Sequence, residues 1–141
     1  MSSKPADIRK QAWNAHSSGD LNTAEALYRK LLDHSREKDW EADDAINLGA
    51  LLRNQGRLKE ATAHYHRWLR ALPYNKALCL NAANCFREFK THDQAVAVLE
   101  AALKHSPDDT QLLLRLGEVW LDQGALDRCH QLLSGLVQAD P

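Results

Sequence analysis

Proline and glycine are scarce: four and six in 141 residues. That scarcity excludes a loop-rich β architecture and a disordered chain. Cysteine is also sparse, and its count of three is odd, which argues against a disulfide framework. On one helix Cys79 and Cys85 would lie about 9 Å apart along the axis, beyond bridging distance. A reducing, cytoplasmic setting is therefore expected. Net charge is almost absent, at -1, so the basic excess of a phosphate-binding protein is missing and nucleic acid is not an expected partner. Residues 1–10 are polar and contain no apolar signal core. No stretch approaches the 18 apolar residues needed to cross a bilayer, so no membrane partner is expected. Motifs that carry chemistry are missing too. There is no glycine-rich phosphate loop, no nucleophile elbow and no zinc-protease helix. His64 and His66 would diverge by about 200° on a helix and cannot share a metal. No catalytic residue, metal or cofactor is predicted.

What the chain does have is apolar content, 44% of residues, with alanine and leucine dominant. Both favour helices. It also has a period. Ala24, Ala61, Ala95 and Cys129 are spaced by 37, 34 and 34 residues. The same three spacings relate Ala12, Gly49, Ala83 and Gly117. They also relate Leu21, Leu58, His92 and Leu126, and again Tyr28, Tyr65, Leu99 and Leu133. Small residues such as Gly49 and Ala61 suit a close crossing of two helices. Leu48 and Leu52, or Leu116 and Trp120, would fill the space around it, since spacings of three and four share a helical face. Gly19, Gly56 and Gly124 recur in one turn, where glycine permits a left-handed helix ending. Pro73, Pro107 and Pro141 stand where second helices stop. First helices are predicted at 6–18, 42–55, 76–89 and 110–123, and second helices at 21–36, 57–71, 92–105 and 126–139. The acid pairs Asp43-Asp44 and Asp108-Asp109 then sit at helix starts, where capping is the expected role.

Leu48-Gly49, Leu52, Gly56, Ala61, Tyr65 and Pro73 in the second unit resemble a tetratricopeptide repeat nearly slot for slot. So do Leu116-Gly117, Trp120, Gly124 and Pro141 in the fourth. The resemblance covers residues 5–141 as one domain of four repeats, 5–38, 42–75, 76–109 and 110–141. It implies an all-α fold, a right-handed superhelical array of four helix-turn-helix units with first helices lining a concave groove. Departures are expected at three points. Arg36 replaces the first proline and Asp39-Trp40-Glu41 is extra, which predicts a second helix one turn longer with Trp40 at the joint. Lys90 stands in a glycine slot, where a left-handed lysine costs roughly 1–2 kcal/mol, so that turn is expected to take another shape. Trp68 fills a slot usually held by alanine and should thicken the joint after the second repeat.

The implied function is non-catalytic binding of a protein or peptide, extended or helical, in the groove. The groove residues would be Arg9, Trp13, Asn47, Ala50, Arg53, Asn54, Leu80, Asn81, Asn84, Arg87, Leu114, Arg115 and Glu118. Trp13 could instead pack within its own repeat. Asparagines are poor helix formers, and their amides both donate to and accept from a peptide backbone. Asn47 and Asn81 hold equivalent slots, which is similar to the asparagine ladder of the O-linked N-acetylglucosamine transferase superhelix. Arg53 and Arg87 would favour an acidic or carboxylate group. The two-carboxylate clamp of chaperone-binding relatives fits poorly. Asn47 matches it, but the other slots hold Arg9, Trp13, Ala77 and Asn81, with only Arg9 keeping a clamp charge. Two alternatives remain: the substrate-recruiting arm of a modular transferase, or an assembly scaffold. No capping helix follows the fourth repeat. The chain is therefore expected to come from a longer protein, and the exposed Leu133, Leu136 and Val137 could form a homodimer.

Overall fold

The computed structural model describes residues 4–33 and 41–139, with side chains described for all of these except 126 and 136–139. Eight α-helices make up the described chain: α1 Pro5–Ser18, α2 Leu21–Asp33, α3 Ala42–Asn54, α4 Leu58–Ala71, α5 Lys76–Glu88, α6 His92–His105, α7 Thr110–Asp122 and α8 Leu126–Ala139. There is no strand among the described residues. Apart from the end of α2, every boundary falls within a residue of the sequence expectation. The proposed extra turn of α2 and the packing of Trp40 fall on residues 34–40, outside the described residues.

Local chemistry sets the helix starts. Pro5 opens α1 with its φ already helical and no amide to satisfy. The Asn75 side chain accepts from the Leu78 amide at 2.9 Å to start α5. Asp109 accepts from the amides of Gln111 and Leu112 at 3.0 and 3.1 Å to start α7. It also pairs with Lys76 at 2.8 Å. The hydrogen bond from Lys76, reinforced by those amides, holds the Asp109 carboxyl below its ordinary range.

The ends of α1, α3, α5 and α7 share one geometry. Gly19, Gly56 and Gly124 have φ of 87°, 77° and 76°. Lys90 has φ 63°, so the expected change of turn shape does not occur. The backbone explains why. In each turn the left-handed residue donates three residues back and the next residue donates five back, as in Gly56 to Arg53 at 2.9 Å and Arg57 to Leu52 at 3.0 Å. Lys90 and Thr91 make the same pair, to Arg87 at 3.0 Å and Phe86 at 2.8 Å. The Thr91 hydroxyl adds a third bond to the Phe86 carbonyl, at 3.0 Å. These bonds offset a strain that remains in place. Lys90→Gly should therefore raise stability by about 1 kcal/mol in urea unfolding. A neutral or negative change would show that the strain is absent.

Residues 1–65 and 66–141 form two compact units. In the first, α1 packs on α2, and α2 on α3. Its core holds Ala12, Ala24, Tyr28, Leu31, Leu48 and Tyr65, none more than 1% exposed. In the second, α5, α6, α7 and α8 pack in succession, and α5 also touches α7. Its core is centred on Leu78, Ala83, Phe86, Ala95, Leu99 and Val119. Trp68 is buried here as well, at 4% exposure. The small-residue columns of the repeat therefore mark close helix crossings. A Cβ added at Gly49 would meet the Tyr65 ring at 2.3 Å, and one at Gly117 would meet Cys129 Sγ at 3.7 Å. Cys129 is packed, at 5% exposure, and burial pushes the Cys79 thiol up.

Candidate functional site

The helix order places α1 and α3 in the first unit and α5 and α7 in the second as first helices of the repeats. The predicted groove residues therefore form two sets. In the first unit Arg9 is committed. Its Nε and Nη2 donate to Asp44 at 2.8 and 2.7 Å, and Glu41 lies 3.4 Å away. The hydrogen bond to Asp44 raises the Arg9 pKa above its ordinary value. Asp44 is fully buried and also caps its helix, accepting from the Glu41 amide at 2.8 Å. Trp13 is 55% exposed. Its ring meets His16 edge-on at 5.7 Å, and His16 in turn meets Tyr28, 3.4 Å from its hydroxyl. Asn47, Ala50 and Arg53 are half-buried, and Asn54 is exposed.

In the second unit the polar residues form one chain of contacts. Arg87 donates to Asp122 at 2.7 and 3.2 Å and to Glu118 at 3.0 Å. Arg115 reaches Glu118 at 3.3 Å and donates to Asn84 Oδ1. His92 stands 3.8 Å from Asp122. The Arg87 hydrogen bond holds Asp122 below the usual carboxylate range. Beside this network Asn81 is half-buried, and its Nδ2 donates to the Ala77 carbonyl at 2.8 Å. Leu80 is half-buried and Leu114 is 50% exposed. Leu80 and Leu114 thus hold equivalent slots on the touching helices α5 and α7, with Asn81 next to Leu80 in the chain.

Sequence reasoning missed the ion pairs between neighbouring first helices. Arg9 with Asp44 and Arg87 with Asp122 are each 35 residues apart. Opposite charges separated by about one repeat length are the signal that could have found them. Leu133 is 43% exposed on α8, whereas the side chains of Leu136 and Val137 lie outside the described residues. Among the described residues no three His, Cys, Asp or Glu side chains gather as a metal site. No helix among them is long and apolar enough to cross a membrane.

Comparison with known proteins agrees with the architecture. Residues 86–141 match the family model described as tetratricopeptide repeat. A tetratricopeptide repeat protein from Parabacteroides merdae superposes with a TM-score of 0.80 at 19% identity, over 99% of this chain and 54% of that one. MamA from Desulfovibrio magneticus gives 0.76 at 19% identity, over 100% and 78%. Intraflagellar transport protein 70A of Bos taurus is 29% identical over 72% of this chain and 16% of its own length. Cellulose synthase operon protein C of Xanthomonas axonopodis is 33% identical over 85% and 8%. The chain therefore spans well under a fifth of the length of either of these relatives.

Proposed function

Since the chain is a tetratricopeptide repeat array by fold, we propose that it is a non-catalytic module that binds another polypeptide along its first helices. The observation that supports this reading is that α5 and α7 touch and carry half-buried Leu80 and half-exposed Leu114 in equivalent slots, with Asn81 next to Leu80 in the chain. A peptide laid there would bury apolar side chains and find an amide for its backbone. Arg87 and Arg115 are already satisfied by Glu118, Asp122 and Asn84. An acidic guest would have to displace those partners, so backbone and apolar contacts should outweigh carboxylate capture. In the first unit Trp13 and Asn47 offer the same two chemistries. Arg9 is held by Asp44, which weakens further the case for a chaperone-type carboxylate clamp.

The test starts from a peptide selected against the whole chain from a random display library. Asn81→Ala should weaken that peptide about tenfold, the loss of one or two charge-neutral hydrogen bonds, and leave helicity unchanged. Leu114→Arg should abolish binding. Unmoved affinity in both variants would discard this face as the site. The small share of each long relative that the chain spans favours a module that works inside a longer polypeptide. It is compatible with a recruiting arm as well as with a scaffold.

A further inference from the structure

The second unit contains a concavity that the groove reading does not use. It lies between the end of α4 and α6, on the second helices of the repeats, and has a volume of about 300 Å³. Leu69 and Pro73 form one wall, Ala97, Val98 and Ala101 the other, and Phe86 contributes from α5. One end is polar. The His66 ring stacks on Phe86 with centroids 4.7 Å apart, and its Nε2 lies 3.0 Å from Gln94 Oε1. An apolar cavity with a few polar groups at one end is the usual form of a site for a side chain or small ligand.

The surroundings indicate the guest. On the solvent side of α4, next to Leu69, the exposed charges are Arg67 and Arg70. On α6, one turn beyond Ala101, Lys104 and His105 are exposed. Asp93 and Glu100 are the acidic residues exposed on α6, and Asp93 is within 3.3 Å of the Gln123 amide. Arg70 follows Leu69 of one wall, Lys104 and His105 lie about one turn beyond Ala101 of the other, and the Tyr74 ring, next to Pro73, stands against that of His105. Exposed basic residues thus neighbour both apolar walls in the chain, with Glu100 the exposed acid next to Ala101.

We infer that this cavity is a second peptide-docking site, which takes one aromatic or large aliphatic side chain from an acidic segment of a partner protein. The apolar walls would bury the anchor. Arg70 and Lys104 would meet the carboxylates on either side of it, raising the encounter rate and selecting against basic segments. Gln94 is placed to bond the guest backbone at the polar end. This site is separate from the first-helix face and does not depend on it.

The probe is a capped pentapeptide, one phenylalanine between two pairs of glutamates, titrated into the ¹⁵N-labelled full chain. Binding with a Kd below about 1 mM is expected at low salt, with amide shifts confined to residues 66–105. The same peptide with alanine at its centre, or with lysines replacing the glutamates, should bind at least about tenfold more weakly. Ala101→Trp fills the cavity from an exposed position and should abolish the shifts. Arg70→Glu with Lys104→Glu changes only surface charge and should weaken the acidic peptide while improving the lysine peptide. Leu114→Arg should leave the affinity unchanged, which separates this site from the first-helix face. No binding, equal binding of the lysine peptide, or full affinity in Ala101→Trp would each overturn the proposal.

Discussion

Replacing Asp44 by alanine should lower the unfolding free energy by about 3 kcal/mol, as measured by urea titration of the helical signal. The carboxylate is fully buried and accepts three short bonds, two from Arg9 and one from the Glu41 amide. Its loss removes the bond to the Glu41 amide at the start of α3 and the two short bonds of the Arg9 guanidinium, which keeps Glu41 at 3.4 Å. The Arg9 side chain keeps 23% of its surface in water, so part of its charge can rehydrate, and the cost belongs at the lower end of the range for broken buried pairs. Arg9→Ala should cost at least as much, because it leaves a carboxylate with no route to solvent. Asp44→Asn keeps the shape and one acceptor for the Glu41 amide, and should cost about half as much. Replacing the pair together, Arg9→Met with Asp44→Leu, should return most of the stability. A loss below about 1 kcal/mol for Asp44→Ala would show that the pair contributes little, as exposed pairs do.

That pair also shows where the sequence stops being legible. Periodic columns gave the helices, their crossings and their turns, because each rests on interactions within a repeat. Ala12 and Gly49 read as contact points from their size alone, and Gly19 and Gly56 as turns from their position. Lys90 misled because a propensity argument counts the strain of one residue and omits the Thr91 hydroxyl that helps to offset it. Arg9 and Arg87 read as free groove cations for a related reason. Their partners, Asp44 and Asp122, lie on the next first helix, and one repeat taken alone does not contain them. Asp44 itself read correctly as a capping residue, but its burial depends on a contact 35 residues away. The cavity beside Phe86 was invisible for the same reason. It is lined by residues of three helices, α4, α5 and α6, that lie far apart in the sequence.

Two glycines in one repeat column should respond oppositely to alanine. A helix-interior glycine costs about 0.8–1 kcal/mol relative to alanine, so both substitutions begin with that gain. At Gly117 the new methyl would lie 3.4 Å from Leu132 Cδ2 and 3.7 Å from Cys129 Sγ. A flexible leucine terminus can yield by a few tenths of an ångström, and Gly117→Ala should be neutral to about 1 kcal/mol stabilising. At Gly49 the methyl would fall 2.3 to 2.7 Å from Cζ, Cε1 and the hydroxyl oxygen of Tyr65. That ring is 1% exposed, so it has no room to swing away without moving its neighbours. Overpacking of this kind costs about 1–3 kcal/mol, and a contact this short belongs at the upper end. Net of the helix gain, Gly49→Ala should destabilise by about 2 kcal/mol. The third repeat combines Ala83 with Leu99 in the same two slots, both fully buried. Tyr65→Leu in the Gly49→Ala background should therefore cost less than Tyr65→Leu alone. Independent, additive effects of the two changes would mean that the methyl and the ring never compete for the same space, and the close crossing inferred from the repeat would be wrong.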